Sequence, residues 1–311
     1  MSSQASHPLP EGYQLRGYVI EKTLSSGGFS IVYLARDEDD RPVAIKEYLP
    51  SSLAMRSEEE RVVALSMEHL PGFRHGMKCF FEEGRALASI NHVNVVRVEN
   101  FFRANDTVYM VMTYMRGRTL QHHVKSHRKK FTEGFMRRTF TNLLNGLREV
   151  HLRKLLHLDI KPANIYITVR GAPVLLDFGA ARNALQIDGP VLKPMYTQGY
   201  AAPEQYKGLQ GLGPWTDVYS IGATMYACLA GAPPQAADAR VKEDKLVSAT
   251  RLWSGRFNAQ LLETIDWCLR LEPTERPQSV YALQKALMSA DRSSRAESEE
   301  ALLAKVEDGT A

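Results

Sequence analysis

The segment H-L-D-I-K-P-A-N-I at residues 157–165 is the part of the chain best suited to chemistry. Pro162 prevents a helix from continuing through it, so its polar side chains lie on a loop that leads into a strand. There Asp159 could orient a hydroxyl, Lys161 could neutralise phosphate, and the amide oxygen of Asn164 could bind a hard cation. The alternative for Asp159 and Lys161 is a simple salt bridge within a loop.

A second carboxylate follows in L-L-D-F-G at residues 175–179. Asp177 stands at the end of a short strand and before a glycine turn, which is a suitable position for a ligand of Mg²⁺. Asp177 follows Asp159 by 18 residues, enough for one hairpin to bring the two carboxylates together. Without the other segments, an ordinary turn aspartate would be the favoured interpretation of Asp177.

A glycine-containing turn lies between two strands in L-S-S-G-G-F-S-I-V-Y at residues 24–33. Small residues in such a turn would let backbone N–H groups approach phosphate oxygens. Lys46 ends the following strand, V-A-I-K, where it could contact the α- and β-phosphates. The alternatives are a plain hairpin turn and a solvated lysine at a sheet edge.

Short β-rich segments and longer helical ones must position these residues. Residues 1–12 are expected to form a loose tail, and residues 289–311 a charged tail. We expect strands at residues 18–24, 31–36, 43–46, 95–102, 108–114, 165–168 and 174–176. The long polar connection at 47–79 precedes an expected helix at 80–90, and apolar periodicity predicts a longer helix at 135–150. A β-rich N-terminal third therefore precedes a helix-rich remainder.

Composition narrows the class of protein further. The 311 residues are 44% hydrophobic and 24% charged, which excludes a wholly disordered or fibrous chain. The net charge of +4 is too small to indicate nucleic-acid binding. The three cysteines are scattered along the chain without the spacing of metal ligands, which indicates reduced thiols. The apolar run at 221–232 is too short to cross a bilayer, so we expect a cytoplasmic protein without a membrane segment.

In their order along the chain, these motifs resemble those of a eukaryotic-type (Hanks-type) Ser/Thr protein kinase, with features of the bacterial branch. Further matches are A-P-E at 202–204, Asp217 in D-V-Y-S-I-G, and Arg276 in E-R-P. The resemblance implies a bilobal α+β kinase fold over residues 13–288. Its N-lobe, 13–113, would hold an antiparallel sheet, one helix and an insertion at about 48–76. Its C-lobe, 117–288, would be mostly helical, with ATP between the lobes.

The resemblance also implies a role for each matching residue. Asp159 would be the catalytic base, Lys161 the lysine on the γ-phosphate, and Asn164 and Asp177 the ligands of Mg²⁺, with Mn²⁺ as an alternative metal. Lys46 would pair with Glu83, or less favourably with Glu82. The remaining residues expected to bind ATP are Ser25, Gly27, Gly28, Ser30, Val32, Ala44, the gatekeeper Met112, and Thr113 and Met115 of the hinge. Asp217 would support the catalytic loop, and Glu204 would pair with Arg276.

Departures from the family pattern concern regulation and substrate choice. Ser25 and Ser30 replace two glycines, and Leu158 replaces the arginine that usually precedes the catalytic aspartate. Residues 182–196 contain no Ser or Thr, so conventional activation-loop phosphorylation is not expected, and a phosphate on Thr197 would obstruct the site. Residues 107–132 contain six Lys/Arg and no Asp/Glu, which does not favour a preference for basic substrates. The insertion could be regulatory or a plain surface flap.

The predicted function is transfer of the ATP γ-phosphoryl group to Ser/Thr hydroxyls of protein substrates in bacterial signalling. Autophosphorylation is expected at Ser293, Ser294 or Ser298 of the tail, and a cognate protein phosphatase would be a further partner. Nucleic acid is not expected as a partner. The alternatives are a nucleotide-binding pseudokinase scaffold, which should lack a chemical residue, and a small-molecule kinase, against which the A-P-E segment and Arg276 argue.

Overall fold

The chain divides into two compact units in a computed structural model that describes residues 7–126, 131–177, 197–208 and 211–288. Of these residues, the first unit contains 7–116, and the second contains 117–126, 131–177, 197–208 and 211–288. No described helix is long and apolar enough to span a membrane.

A six-stranded antiparallel sheet and one long helix form most of the first unit. The strands are β1 (Gln14–Leu15), β2 (Tyr18–Ser26), β3 (Ser30–Arg36), β4 (Pro42–Tyr48), β5 (Ala54–Arg56), β6 (Val62–Ala64), β7 (Val98–Ala104) and β8 (Thr107–Thr113), and the helix is α1 (Leu70–Ala88). The sheet order is β1-β2-β3-β4-β8-β7, while β5 and β6 form a separate hairpin. Runs of β-forming residues bounded by turn residues predict all the long strands to within a few residues.

Helix α1 is longer than the sequence pattern predicts. It begins at Leu70, ten residues before the expected start, with Pro71 in its first turn. Proline is tolerated there, since the first N–H groups of a helix have no partner within the helix. Phe73, Phe80 and Leu87 recur every seven residues on the buried face of α1. The connection expected over 47–79 therefore ends in a helix that packs on the sheet.

The hairpin β5–β6 lies within the expected insertion at 48–76, and it is anchored by a buried ion pair. Nη2 of Arg56 lies 2.5 Å from Oε2 of Glu47, and the two side chains are only 2% and 0% exposed. The hydroxyls of Tyr33 and Tyr109 also donate to this carboxylate, at 2.7 and 2.6 Å. All four side chains lie on the face of the sheet opposite Lys46, so these contacts tie the hairpin to that face.

The N-terminal segment covers the same face, where the sequence predicts a loose tail. Leu9 is buried, and its backbone N–H donates to the hydroxyl of Tyr33 at 3.1 Å. The carbonyl of His7 accepts a hydrogen bond from Nε of Arg56 at 2.7 Å. Residues 7–9 therefore belong to the packed first unit.

The second unit is mostly helical. Its elements are β9 (Gly117–Thr119), α2 (Leu120–Ser126), α3 (Glu133–Leu152), β10 (Ile165–Thr168), β11 (Pro173–Leu175), α4 (Pro214–Ala230), α5 (Ala237–Lys242), α6 (Ala249–Trp253), α7 (Ala259–Cys268) and α8 (280–288). The strands form a small antiparallel sheet in the order β11-β10-β9.

Two helices form the core that supports the loop at 157–164. Thr132 caps α3 by accepting a hydrogen bond from the N–H of Phe135, and the apolar face of α3 is fully buried. Helix α4 is buried along most of its length and packs against α7. A Cβ placed on Gly222 would lie 2.4 Å from Cβ of Cys268, so this close crossing requires glycine. The loop at 157–164 leaves α3 and enters β10 on this rigid base.

Candidate active site

Strand register places four of the expected ATP-binding residues on one face of the first unit's sheet. Val32 pairs directly with Lys46, and Ala44 pairs directly with Met112. Directly opposed residues of antiparallel strands point to the same side, as do residues two apart on one strand. The side chains of Val32, Ala44, Lys46 and Met112 therefore line a common surface.

Helix α1 packs on the sheet beside Lys46. The ammonium of Lys46 lies 5.5 Å from the centroid of the Phe80 ring, one helical turn before Glu83. Lys46 and Glu83 are both buried, at 7% and 4% exposure, whereas Glu82 is exposed. Of the two candidate partners for Lys46, Glu83 is the one on the buried face of α1.

The glycine-containing turn joins β2 to β3 and is open to solvent. The N–H of Gly27 donates to the carbonyl of Ser30 at 2.9 Å, which closes the turn. No atom lies within 4 Å of a Cβ placed on Gly28, so there is open space over the turn. Ser25 is exposed, and Ser30 is half-buried. The N–H of Ser51 also donates to the carbonyl of Gly28 at 3.0 Å, a contact that the sequence does not predict.

The expected hinge follows β8 directly. Thr113 ends the strand, and its N–H donates to the carbonyl of Arg97 at 3.0 Å. Thr113 and Met115 are both partly exposed. Met112, the expected gatekeeper, is buried at 7% exposure on the face that also carries Lys46.

In the second unit, a fully buried carboxylate fixes the start of the loop at 157–164. Asp217 on α4 accepts hydrogen bonds from the backbone N–H groups of His157 and Leu158, at 2.9 and 2.8 Å. Nε2 of His151 lies 2.8 Å from the same carboxylate. Burial alone raises the pKa of Asp217, but its hydrogen bonds and the interaction with His151 outweigh burial and lower it. Asp217 is therefore held as a carboxylate.

Leu158 adopts a backbone conformation that side chains other than glycine rarely adopt. Its φ is +62°, in the left-handed region. Asp217 holds its N–H, and Nε2 of Gln205 donates to its carbonyl at 2.9 Å. The contact from Gln205 has no signature in the sequence. These two hydrogen bonds, one on each side, keep the strained residue in place.

Asp159 is at the centre of a set of charge-assisted hydrogen bonds. Nζ of Lys161 donates to both of its carboxylate oxygens, at 2.9 and 2.8 Å. Nδ2 of Asn164 donates to its carboxylate at 2.8 Å and to its backbone carbonyl at 2.9 Å. The hydroxyl of Thr197 lies 2.9 Å from Oδ1 of Asp159 and 2.7 Å from Nζ of Lys161. The structure thus brings Asp159, Lys161, Asn164 and Thr197 together.

Asn164 and Asp177 have the chemistry of a site for a hard divalent cation. The hydrogen bonds of Asn164 to Asp159 use its amide nitrogen, which leaves Oδ1 as the atom suited to a metal. The N–H of Leu176 donates to the carbonyl of Asn164 at 2.8 Å, which places the neighbouring Asp177 beside Asn164. Mg²⁺ is usually held by one or two protein oxygens together with phosphate oxygens. The two residues fit that pattern, and no described group of three or more His, Cys, Asp or Glu offers an alternative metal site.

Glu204 and Arg276 form the bidentate ion pair that their motifs predict. The guanidinium of Arg276 contacts the two carboxylate oxygens of Glu204 at 2.8 and 3.0 Å, and Arg276 is 1% exposed. The hydroxyl of Thr216 donates to the same carboxylate at 2.9 Å. The guanidinium also lies 4.9 Å from the ring centroid of Tyr219 on α4. The segment after Thr197 is therefore fastened to the helical core.

Some sequence expectations lie outside the described residues. They concern Phe178 and Gly179 of the D-F-G motif, the segment 182–196 without Ser or Thr, and the tail serines Ser293, Ser294 and Ser298.

Comparison with known proteins supplies the family context for this geometry. A family model described as "Protein kinase domain" matches residues 18–302. Serine/threonine-protein kinase pkn3 of Myxococcus xanthus is 28% identical over 89% of this chain and 50% of its own length. A serine/threonine-protein kinase of Corynebacterium efficiens, drp72, is 29% identical over 83% of this chain and 48% of its own length. The chain thus spans about half the length of these curated relatives.

A solved structure described as "PpkA-294 apo form" is also similar. It superimposes with a TM-score of 0.85 and 34% sequence identity, covering 91% of this chain and 100% of that chain. The antiparallel sheet with one helix and the mostly helical second unit match it. The fold class expected from the sequence is therefore confirmed.

Proposed function

This chain belongs to the protein kinase family, and we propose that it transfers the γ-phosphoryl group of ATP to Ser/Thr hydroxyls of proteins. The observation that carries the proposal is the Thr197 hydroxyl, which lies 2.9 Å from Oδ1 of Asp159 and beside Lys161. A carboxylate that already binds one hydroxyl can bind the hydroxyl of an acceptor in the same way. The similarity to bacterial Ser/Thr kinases supports this reading.

In this proposal, the second unit orients the acceptor and stabilises charge. Asp159 accepts the proton of the acceptor hydroxyl, and Lys161 offsets the negative charge of the transferred phosphoryl group. Lys161 also contacts the Asp159 carboxylate, so the two groups are held in a fixed relation before substrate binds. Protein kinases use ATP with a divalent metal ion, which Asn164 and Asp177 would hold. When bound, the metal would neutralise phosphate charge.

The first unit supplies the residues proposed to bind ATP. Lys46 would contact the α- and β-phosphates, with Glu83 as its partner on α1. Ser25, Gly27, Gly28 and Ser30 would cover the phosphates, because the space over that turn is open. The remaining contacts would come from the shared sheet face, through Val32, Ala44 and Met112, and from the backbone of Thr113 and Met115 near adenine.

Regulation and partners follow as further parts of the proposal. Thr197 occupies the position between Asp159 and Lys161, so a phosphate on its hydroxyl would displace both contacts. Leu158 has no donor with which to bind a phosphorylated activation loop. The kinase would therefore act without conventional activation-loop phosphorylation. Its substrates would be proteins with accessible Ser/Thr, including its own tail, and a cognate phosphatase would reverse the modification.

A pseudokinase scaffold is the competing function. Such a protein should lack a chemical residue, whereas Lys46, Asp159, Asn164 and Asp177 are all present. A small-molecule kinase is a third candidate. The buried pair of Glu204 and Arg276 fastens the segment after Thr197, a feature suited to a protein acceptor, and this argues against it.

The test compares Asp159→Asn with the wild-type chain. We expect the variant to lose about 10²–10⁴-fold in phosphoryl transfer from radiolabelled ATP, the usual contribution of a positioned acid or base. Its affinity for Mg·ATP, measured by calorimetry, should change little, because Asp159 acts mainly in the transition state. Asp39→Asn is the matched control, since this carboxylate is 79% exposed in the first unit.

Three results decide between the candidate functions. Near-wild-type turnover of Asp159→Asn would exclude Asp159 as the base. ATP binding by the wild-type chain without transfer to any protein would favour the pseudokinase. Transfer to an aminoglycoside or to choline in place of protein would favour the small-molecule kinase.

A further inference from the structure

We propose that a basic surface on β9 and α2 selects acceptor hydroxyls flanked by acidic residues, and that the chain's own Ser298 is such an acceptor. The basic surface consists of Arg118, His122, His123 and Lys125. The inference rests on the proposed function, because it names the substrate class of the same site. It makes acidic segments the preferred substrates of this kinase.

The first observation concerns the two permanent cations of this surface, Arg118 and Lys125. Both are exposed, and no carboxylate in the described part of the chain forms an ion pair with either. Residues 107–132 of the sequence contain no Asp or Glu at all. An exposed cation without an internal partner is available to a charged ligand.

The second observation is the position of this surface beside the catalytic loop. Thr119 of β9 pairs with Tyr166 of β10, only two residues after Asn164. From strand spacing and rise, Thr119 lies within about 10 Å of Asn164. Helix α2 begins at the next residue and packs against the turn at Pro162–Asn164. A peptide whose hydroxyl reaches Asp159 would therefore pass close to the basic surface.

The third observation is that three acids of the second unit are engaged within the fold. Glu133 pairs with Arg137, and Glu149 pairs with Arg153. Asp217 is fully buried beneath the catalytic loop. The local field around an approaching substrate therefore favours negative over positive flanking residues.

The chain itself contains an acceptor of matching charge. Ser298 stands in E-S-E-E, with Glu297 before it and Glu299 and Glu300 after it. Ser293 and Ser294, a few residues earlier, stand instead between Arg292 and Arg295. One short segment thus offers an acidic and a basic acceptor context, and charge complementarity selects Ser298.

The proposed reaction is a single phosphoryl transfer. The Oγ of Ser298 forms a bond to the γ-phosphorus of ATP as the bond from that phosphorus to the β,γ-bridging oxygen breaks. Asp159 takes the hydroxyl proton, and ADP leaves with the bridging oxygen. ATP is the only co-reactant, and the proposed function supplies it.

The experiment uses the full chain and peptides copied from residues 292–304, with Ser293 and Ser294 replaced by Ala so that Ser298 is the single acceptor. One peptide keeps the three glutamates, and a second has Glu297, Glu299 and Glu300 replaced by Gln. We expect kcat/KM to fall about three- to tenfold for the neutral peptide, as for the loss of two exposed ion pairs. The difference should shrink at high salt, since exposed charges are screened.

A charge-reversal variant assigns the effect to the basic surface. Arg118→Glu with Lys125→Glu should abolish or invert the preference, while transfer to the neutral peptide changes little. The matched control reverses two exposed cations on other helices of the second unit, Arg251→Glu with Lys285→Glu, and should keep the wild-type preference. In the intact wild-type chain, mass spectrometry should find Ser298 modified faster than Ser293 and Ser294.

The outcomes separate this inference from the proposed function. Equal kcat/KM for both peptides in the wild-type chain, or the same preference in the charge-reversal variant, would overturn the basic surface and leave the kinase activity intact. Absence of transfer to any protein or peptide would overturn the proposed function. In that case, fluorescence anisotropy with the two labelled peptides still decides the inference, because tighter binding of the acidic peptide supports it and equal binding refutes it.

Discussion

Glu47 in the first unit and Asp217 in the second are both 0% exposed, and both accept several hydrogen bonds, but from different kinds of donor. Side chains surround Glu47: the guanidinium of Arg56 and two tyrosine hydroxyls. Asp217 instead binds two consecutive backbone N–H groups, together with His151. The first carboxylate joins elements that are distant in sequence, and the second fixes the backbone of one loop.

This difference separates stability from catalysis. A carboxylate that holds side chains can be lost without reshaping the backbone, although the buried partners left behind make the loss costly. A carboxylate that holds backbone N–H groups sets the φ of a residue, here the left-handed Leu158, and so the position of Asp159. We therefore expect variants around Glu47 to change mainly the free energy of unfolding. Variants around Asp217 should change mainly the turnover number.

The largest effect on stability is expected for Arg56→Met. It leaves the Glu47 carboxylate buried without its cation, which should lower the free energy of unfolding of the first unit by about 3–5 kcal/mol. Unfolding in urea, followed by far-ultraviolet circular dichroism, measures the change in the free energy of unfolding. Arg61→Met is the control, because Arg61 is 62% exposed and should contribute less than about 1 kcal/mol.

A double variant sharpens the same prediction. Adding Glu47→Gln to Arg56→Met removes the unpaired charge and should restore a large part of the lost stability. If the double variant were no more stable than Arg56→Met alone, the buried charge would not be the cause. Shortening residues 48–76 also removes Arg56, so any test of regulation by this segment should keep Arg56 in place.

Asp217→Asn should have the next largest effect, of about 2–3 kcal/mol, expressed mainly in catalysis. The amide keeps one acceptor oxygen but presents an N–H group towards two backbone donors, and loses charge-assisted hydrogen bonds. We expect kcat to fall by about 30- to 100-fold, with a smaller change in KM for ATP. Steady-state kinetics and circular dichroism on one sample measure this, and an equal loss of folded protein and of turnover would show a purely structural role.

His157 is expected to make the free energy of unfolding fall as the pH drops below about 6.5. Burial lowers the pKa of this side chain below its ordinary value of 6.5, despite the nearby carboxylates. The unfolded chain therefore binds the proton more readily, so stability is full above pH 6.5 and falls as the pH drops from there towards the lowered folded pKa. Over that range, one such group changes the free energy of unfolding by at most about 1.4 kcal/mol per pH unit.

His157→Gln tests this assignment. The amide can still donate to the carbonyl of Leu176, which Nε2 of His157 approaches at 2.8 Å, but it does not titrate. Its unfolding free energy should be flatter than that of the wild-type chain over this pH range. An unchanged slope would place the titrating group elsewhere. The pKa of Asp217 is lowered from 3.8, so its contribution to stability is lost only as the pH falls below about 3.8.

The smallest effect, about 1 kcal/mol, is expected for Leu158→Gly. Glycine adopts a positive φ without the steric cost that leucine carries, so the loop needs less support from Asp217. Leu158→Gly should therefore recover part of the turnover lost in Asp217→Asn while changing little in the wild-type background. Additive losses in the double variant would show that Asp217 does not act through Leu158.

The sequence predicts the long strands well, because β-rich runs between turn residues mark β2, β3, β4 and β8. It also predicts that Asp159, Lys161 and Asn164 lie together, since they stand within a few positions of one another. Helix α1 begins earlier than expected. A proline in the sequence usually indicates the end of a helix, and only the structure shows that Pro71 lies in the first turn, where proline is tolerated.

The sequence does not predict the buried ion pair of Arg56 with Glu47 or the hydrogen bonds from side chains and N–H groups to loop carbonyls. Burial of Arg56 is an exception to the rule that charged residues stay exposed, and only the folded sheet shows that Glu47 lies beneath it. The support given by Ser51 to Gly28 and by Gln205 to Leu158 uses backbone carbonyls, which carry no sequence signal. Tertiary packing, not spacing along the chain, creates these partners.

The packing of residues 7–9 has a practical consequence for anyone who trims this protein. Motif matching sets the start of the domain near residue 13, yet the carbonyl of His7 and the N–H of Leu9 bind Arg56 and Tyr33. A clone that starts at residue 13 would open the covered face of the sheet to water and leave those polar groups to the solvent. Expression trials and affinity tags should therefore keep residues 7–12 attached to the sheet that they cover.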